Sequence, residues 1–205
     1  MVTRKAEKGK TSSVKADMYY QTTGDLVTHF VSPVEYILIN NSKGDLKMYD
    51  PKKNTVLQQS NLMYSTQSTH FYYFLQNRQS DMGLKAIGFK LNDTKMEKGL
   101  LVTEWLPPMD AVASLSKVKL VHEGQEPIFM SYIGTNGKPV KNIYYYKYQQ
   151  LGSVNFPTAV TSINYFTKGD STIEKTTYSD FKLNEAANSS YFTFKVPANA
   201  KALKK

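Results

Sequence analysis

The sequence contains no cysteine, which excludes disulfides, thiolate metal sites and a cysteine nucleophile while leaving the redox compartment open. Histidine is scarce. His29, His70 and His122 fall in three separate stretches, none in a metal-ligand spacing such as H-x-x-x-H, and they read as ordinary strand or helix-surface residues. No G-x-S-x-G elbow, P-loop or dinucleotide fingerprint occurs, and the glycines fall singly at turns. Carboxylate pairs such as Asp17 with Asp25, or Asp93 with Glu97, flank expected turns and read as solvated charges. The pattern therefore offers no catalytic constellation, cofactor site or metal site, and an enzyme is not expected. Acidic residues are also in deficit: 17 Asp and Glu against 26 Lys and Arg leave a formal charge of +9. That balance favours anionic partners such as lipid headgroups, nucleic acid or acidic proteins, without choosing among them. No run is long enough to span a membrane. The basic start, with Arg4, Lys5, Lys8, Lys10 and Lys15, lacks the apolar segment of a secretory signal. A chain that stays out of the bilayer is expected, either cytoplasmic or matured by loss of an export signal.

What the sequence does hold is strand. With 205 residues, 40% of them hydrophobic and 13% aromatic, the chain can bury a sizeable core in one domain. Residues 1–13 read as a basic, flexible terminal segment and 14–205 as the domain. The organising stretch is Val34 to Val56. Val34 to Ile39 is a β-branched and aromatic run, Asn40 to Gly44 supplies turn chemistry, Leu46 to Tyr49 is a short strand closed by Asp50-Pro51, and another strand begins near Thr55. Val34, Tyr36 and Leu38 point to one side and Glu35, Ile37 and Ile39 to the other, so both faces of this strand should be covered.

Before it, Val14 to Tyr20 and Leu26 to Val31 form two further strands, separated from the central one by Ser32-Pro33. After it, Ser65 to Gln79 places Phe71, Phe74, Leu75 and Arg78 at helical spacing, with Thr66 or Ser68 as N-cap, and predicts an amphipathic helix lying on the sheet. Strand pattern returns at Ile87, Phe89 and Leu91, then a polar hairpin over Asn92 to Gly99, then Leu100 to Leu106 ended by Pro107-Pro108. A brief helical excursion is expected over Met109 to Leu115. Val118 to His122, Ile128 to Ile133, Ile143 to Tyr148, Val160 to Phe166, Ile173 to Leu183 and Phe192 to Val196 complete a single antiparallel sheet of about eleven strands, which should curl. Tyr144-Tyr145-Tyr146-Lys147-Tyr148 is the best candidate for stacking nucleic-acid bases. Adjacent strand residues face opposite ways, so a half-buried strand with Tyr145 apart from Tyr144, Tyr146 and Tyr148 is the preferred reading, and nucleic-acid binding is not expected.

Taken in order, several runs resemble one family. These are Asp17-Met18-Tyr19-Tyr20, a turn, Leu26 to Phe30, Pro33, the strand to Ile39, Gly44-Asp45-Leu46-Lys47-Met48-Tyr49-Asp50-Pro51, and the closing Tyr178-Ser179-Asp180-Phe181-Lys182-Leu183-Asn184 with Phe192-Thr193-Phe194-Lys195-Val196-Pro197. Together they resemble the LolA-like outer-membrane lipoprotein carriers over nearly the whole chain. The resemblance implies a mainly β protein with a few helices, an unclosed β-barrel lidded by helices over an apolar cavity. It implies a periplasmic, monomeric carrier or chaperone without a cofactor. Such a protein holds the acyl chains of lipoproteins, or another hydrophobic ligand, for transfer from an inner-membrane donor to an outer-membrane acceptor. Burial of about 0.8 kcal/mol per CH₂ makes such holding physically reasonable. From alternation and helix phase, the cavity residues are expected to be Tyr36, Leu38, Met63, Phe71, Phe74, Leu75, Phe89, Trp105 and Met130. Two departures stand out. The position matching the family's lid-latching arginine is about Thr22, beside Thr23 rather than proline, and the helix that precedes the first strand is replaced by the Lys-rich start. The alternative is a sensor or protein-interaction module on the same fold.

Overall fold

The structure is a computed structural model describing residues 1–166 and 169–203, with backbone alone at Ser68 and His70. Fourteen strands are hydrogen-bonded in the order β14-β6-β5-β4-β3-β2-β1-β13-β12-β11-β10-β9-β8-β7. In chain order they are β1 Val2–Glu7, β2 Lys10–Tyr20, β3 Leu26–Ser32, β4 Tyr36–Asn40, β5 Asp45–Asp50, β6 Thr55–Ser60 and β7 Lys90–Glu97. They continue with β8 Leu100–Leu106, β9 Leu115–Glu123, β10 Glu126–Gly134, β11 Pro139–Leu151, β12 Val154–Tyr165, β13 Ser171–Thr177 and β14 Lys201–Ala202. The order starts at β14 and ends at β7 without returning on itself. The strand count exceeds the expected eleven or so partly because both ends of the chain add strands, β1 and β14.

The N-terminal segment is thus corrected from a loose tail to a hairpin. Lys8 and Gly9 both have positive φ, 48° and 71°, the two-residue turn whose twist matches paired strands. The same chemistry corrects the second hairpin. Asn92 to Glu97 is strand, and the reversal is confined to Lys98 and Gly99, with φ of 52° and 84°. Contacts divide the chain into two compact units: Met1–Thr3, Ser13–Tyr72 and Tyr178–Lys205 in one, Arg4–Ser12 and Tyr73–Thr177 in the other.

In the first unit, β2 to β6 form an antiparallel meander and β14 adds a parallel strand to β6. The Asn40 to Gly44 turn forms as expected. Gly44 has φ of 86°, and a Cβ there would lie 2.3 Å from the Asn61 carbonyl oxygen. Asn61 N–H donates back to the Gly44 carbonyl at 3.0 Å, and Asp45 is held below the usual carboxylate range by the Asn41 amide and Ser60 hydroxyl. Gly44→Ala is therefore expected to cost about 1–3 kcal/mol of stability, read as a lowered urea midpoint with unchanged slope.

The expected helix over Ser65 to Gln79 shrinks to α1, His70–Leu75, preceded by 3₁₀ turns at Leu62–Tyr64 and Thr66–Ser68. Ser and Thr side chains compete for the local backbone here: Ser65 caps the second turn, and Thr69 Oγ1 donates to Thr66 O while accepting from Tyr72 N–H. Asn77, at φ 52°, stops the other end. Among the described residues α1, six residues long, is the single α-helix.

The expected Ile173 to Leu183 strand forms as far as Thr177, and beyond it the rest of that strand and the expected Phe192 to Val196 strand are replaced by a strap. Asp180 and Asn184 have positive φ, and 3₁₀ turns occupy Asn184–Ala187 and Ser190–Thr193, so no ladder can run. Three-residue spacing instead puts Tyr191 and Phe194 on one side, where they stack at 5.8 Å.

In the second unit, β13 to β7 form an antiparallel sheet whose inner face carries Val118, Leu120, Met130, Ile143 and Tyr145. Phe74, Met82, Leu84 and Phe89 are also buried in this unit. The expected strand at Ile87 starts only at Lys90, because Met82 to Gly88 is a series of turns, and Met109 to Leu115 is likewise turn rather than helix. The tyrosine run alternates as expected at Tyr144 and Tyr145. Lys147, at φ 57°, then breaks the alternation, so Tyr148 joins Tyr145 against Phe74 instead of turning away.

Candidate functional site

The two faces of the first unit's meander follow from its register. Pairing of Tyr19 with Val27, His29 with Ile37, Ile37 with Tyr49, and Tyr49 with Val56 collects one face. Val27, Ile37, Tyr49 and Val56 form its buried cluster, covered by Tyr191, Phe194 and Val196 of the strap. Tyr191 stacks on both Tyr19 (4.9 Å) and His29 (4.7 Å), and His29 Nε2 lies 3.1 Å from Glu35 Oε1. Burial and neighbouring Tyr19 push the Tyr191 phenol up, so it stays neutral over this stack. Gln21 Nε2 donates to the Phe192 carbonyl at 2.6 Å and Asn54 Nδ2 to that of Asn199 at 3.2 Å, fastening the strap at two points.

The opposite face pairs Ala16 with Phe30, Met18 with Thr28, Thr28 with Leu38, Phe30 with Tyr36, Leu38 with Met48, and Met48 with Leu57. Ala16 and Thr28 are buried on this face, but Met18, Phe30, Tyr36, Leu38 and Leu57 are only half-buried and Met48 is exposed, so it is largely apolar yet incompletely covered. Tyr36 stacks flat on Phe30 at 4.0 Å, and burial raises its phenol pKa, so the face carries no phenolate at neutral pH. At its end sits Asn40, whose Nδ2 donates to the Tyr64 carbonyl (3.4 Å) while its buried Oδ1 has no partner. An apolar strip left half-covered can hold a hydrocarbon chain.

Tyr36 and Leu38 lie together on this face, as alternation predicted. Phe71 belongs to the same unit and meets Tyr20 edge-on at 5.5 Å and Tyr178 at 6.1 Å. Met63 is 81% exposed on its 3₁₀ turn and lines nothing. Phe74, Phe89, Trp105 and Met130 are closed core of the second unit, and Leu75 is half-buried. Phe74 is 1% exposed and packs against Tyr145, Tyr148 and Phe156, while Trp105 Nε1 donates to Thr103 Oγ1 at 2.9 Å. The second unit does carry a groove of about 470 Å³, but on the outer face of its sheet, lined by Glu97, Lys98, Leu100, Val102, Lys119 and Val121. Phe30, Met48 and Leu57 were missed because their side of the strand follows from ladder register, which only the hairpin turns fix.

Among the described residues no cluster of three or more His, Asp and Glu could hold a metal. His122 is 3% exposed; its Nε2 donates to the Gln79 carbonyl at 3.2 Å, and its Nδ1 is buried without a partner. Burial lowers its pKa, with the Gln79 bond acting weakly the other way. A lowered folded pKa means the unfolded chain takes up the proton first. Stability is therefore expected to be flat above the ordinary histidine value near 6.5 and to fall as pH drops below it. Urea midpoints between pH 7.5 and 5 check this, and His122→Gln should remove that share of the slope. The side chain of His70 lies outside the described residues.

With the geometry laid out, comparison with solved structures assigns the fold. A LolA superfamily protein from Nitrosomonas europaea superposes with a TM-score of 0.56 at 13% identity, covering 90% of this chain and 84% of that one. A putative outer membrane lipoprotein-sorting protein domain from Vibrio parahaemolyticus gives 0.56 at 13% identity, covering 94% and 87%. A DUF1329 family protein from Desulfovibrio piger gives 0.51 at 14% identity, covering 93% and 86%. No family model and no curated protein sequence matches the chain. The chain shares its fold with these structures. No described helix is long and apolar enough to cross a membrane.

Proposed function

We propose that this protein is a non-enzymatic carrier that holds the acyl chains of lipoproteins, or a hydrophobic ligand of the same kind, in the periplasm for transfer to the outer membrane. The observation that supports it is the asymmetry of the first unit's sheet. Both faces are largely apolar, one is sealed by the chain's own strap, and the other, with Tyr36 and Leu38 at its centre, is left half-covered. Soluble domains rarely leave a contiguous apolar strip uncovered without a use for it. The likeness to a lipoprotein-sorting domain agrees with that use. An acyl chain laid along the strip replaces water over half-buried side chains at about 25 cal/mol per Å², strong enough to hold and weak enough to release.

Native mass spectrometry of protein purified from its source tests this. Co-bound mass that fragments to acyl chains is expected. A ligand-free protein that also takes up no fatty acid or acylated peptide when offered one contradicts the reading.

A further inference from the structure

The exposed apolar residues of the second unit are unevenly placed. Register puts the 107–114 and 135–138 connections and the end of β12 at one rim of its sheet, since Leu106 opposes Lys90, Leu115 opposes Gly134, and Asn164 opposes Lys141. The tight reversals at Lys98-Gly99, Gly124-Gln125 and Gly152-Ser153 lie at the other rim. Ile87, Leu106, Met109, Val112, Val140 and Phe166 are all exposed at the first rim, Met109 by 88% and Phe166 by 51%. Of the large apolar side chains exposed in this unit, only Met96 stands at the second. Lys90, Lys138 and Lys141 lie among or beside the apolar tips, while the Lys85 ammonium sits over the Trp105 ring at 6.0 Å. None of these lysines forms an ion pair among the described residues, whereas Lys117 is held by Glu104 at 2.9 Å. Asp110 and Asp170 are the carboxylates of the connections themselves.

We propose that this rim docks the protein on an anionic lipid surface. From β8 to β12 the tips span roughly 20 Å at the usual strand spacing of about 4.8 Å. They are carried by several different strands and turns. Isolated apolar tips with free lysines between them suit a headgroup layer: the tips dip toward the acyl boundary while the ammonium groups stay among the phosphates. Protein interfaces, by contrast, are depleted in lysine. Docking at this rim is independent of ligand held in the first unit.

Co-sedimentation of the full chain with vesicles of equal phosphatidylglycerol and phosphatidylcholine, without any added acyl ligand, tests the proposal. Binding is expected on these vesicles, should be at least tenfold weaker on phosphatidylcholine alone, and should fall about tenfold in 0.5 M salt. Met109→Glu combined with Phe166→Glu should weaken it at least tenfold with an unchanged circular dichroism spectrum and unfolding midpoint, and Met96→Glu should leave it unchanged. Absence of binding, binding indifferent to lipid charge and salt, equal binding by the double variant, or loss through Met96→Glu overturns the proposal. So does a protein partner lost through the double variant when no vesicle binding exists. Fatty-acid uptake measured in solution on the same variants separates this failure from failure of the carrier reading.

Discussion

Phe74→Ala is expected to lower stability by about 3–5 kcal/mol, the largest effect of any single truncation considered, read as a shifted urea midpoint at unchanged slope. The ring is 1% exposed and touches Tyr145, Tyr148 and Phe156 at centroid distances of 5.4, 6.2 and 5.9 Å, all in steep edge-on geometry. Deleting it removes both the transfer free energy of the ring and its aromatic contacts, and leaves a void that the large side chains around it can fill only in part. The size of the loss separates two pictures of this residue. A side chain that lined an open cavity would cost little to truncate and would change ligand uptake. A core side chain costs several kcal/mol and leaves uptake by the folded protein unchanged, which is the result expected here. A loss below about 1 kcal/mol would show that the second unit's interior is loosely packed.

Leu38→Glu is expected to abolish uptake of fatty acid at least tenfold while costing much less stability than Phe74→Ala. Leu38 is half-buried between Thr28 and Met48, so a carboxylate there can reach water but must lose it when an acyl chain lies across the strip. Isothermal titration with a soluble fatty acid checks the affinity, and thermal unfolding checks the fold. Ile37→Glu serves as the contrast. It places the charge under the strap, against Tyr49 and Val56, and should unfold the first unit rather than leave a folded protein without ligand.

The contrast between Ile37 and Leu38 also shows how far the sequence reaches. That Val34 to Ile39 would be apolar on both faces was legible, because a run of β-branched and aromatic residues without polar alternation has no side to turn to water. Which face would be sealed was not. The strap that seals it lies more than 150 residues away; the alternation of Phe192, Phe194 and Val196 with Thr193 and Lys195 reads as strand and leaves Tyr191 outside it, and only the left-handed residues Asp180 and Asn184 and the Ser189 cap turn the run into 3₁₀ spacing. The helix over Ser65 to Gln79 was overdrawn for a related reason. Apolar period alone predicts it, whereas the Ser65 and Thr66 hydroxyls donate to the distant Ser42 and Gly24 carbonyls and Thr69 Oγ1 donates locally to the Thr66 carbonyl. Candidate cavity residues chosen by hydrophobicity then divided into those that fill space, such as Phe74 and Met130, and those that leave it, such as Tyr36 and Leu38. Size and apolarity are common to both sets, and only register and burial part them. The N-terminal hairpin was hidden by its charge, since Lys and Arg on exposed strand positions look like a solvated tail until Lys8 and Gly9 are recognised as a turn.

The most direct test of the carrier reading is photo-crosslinking with a diazirine-bearing fatty acid, followed by mapping of the labelled peptides. Label is expected on peptides carrying Met18, Leu38 and Met48, which share the half-covered face, and not on those carrying Tyr191 to Val196 or Met130. Label confined to the strap or the second unit, or none above the level of a denatured control, would contradict it.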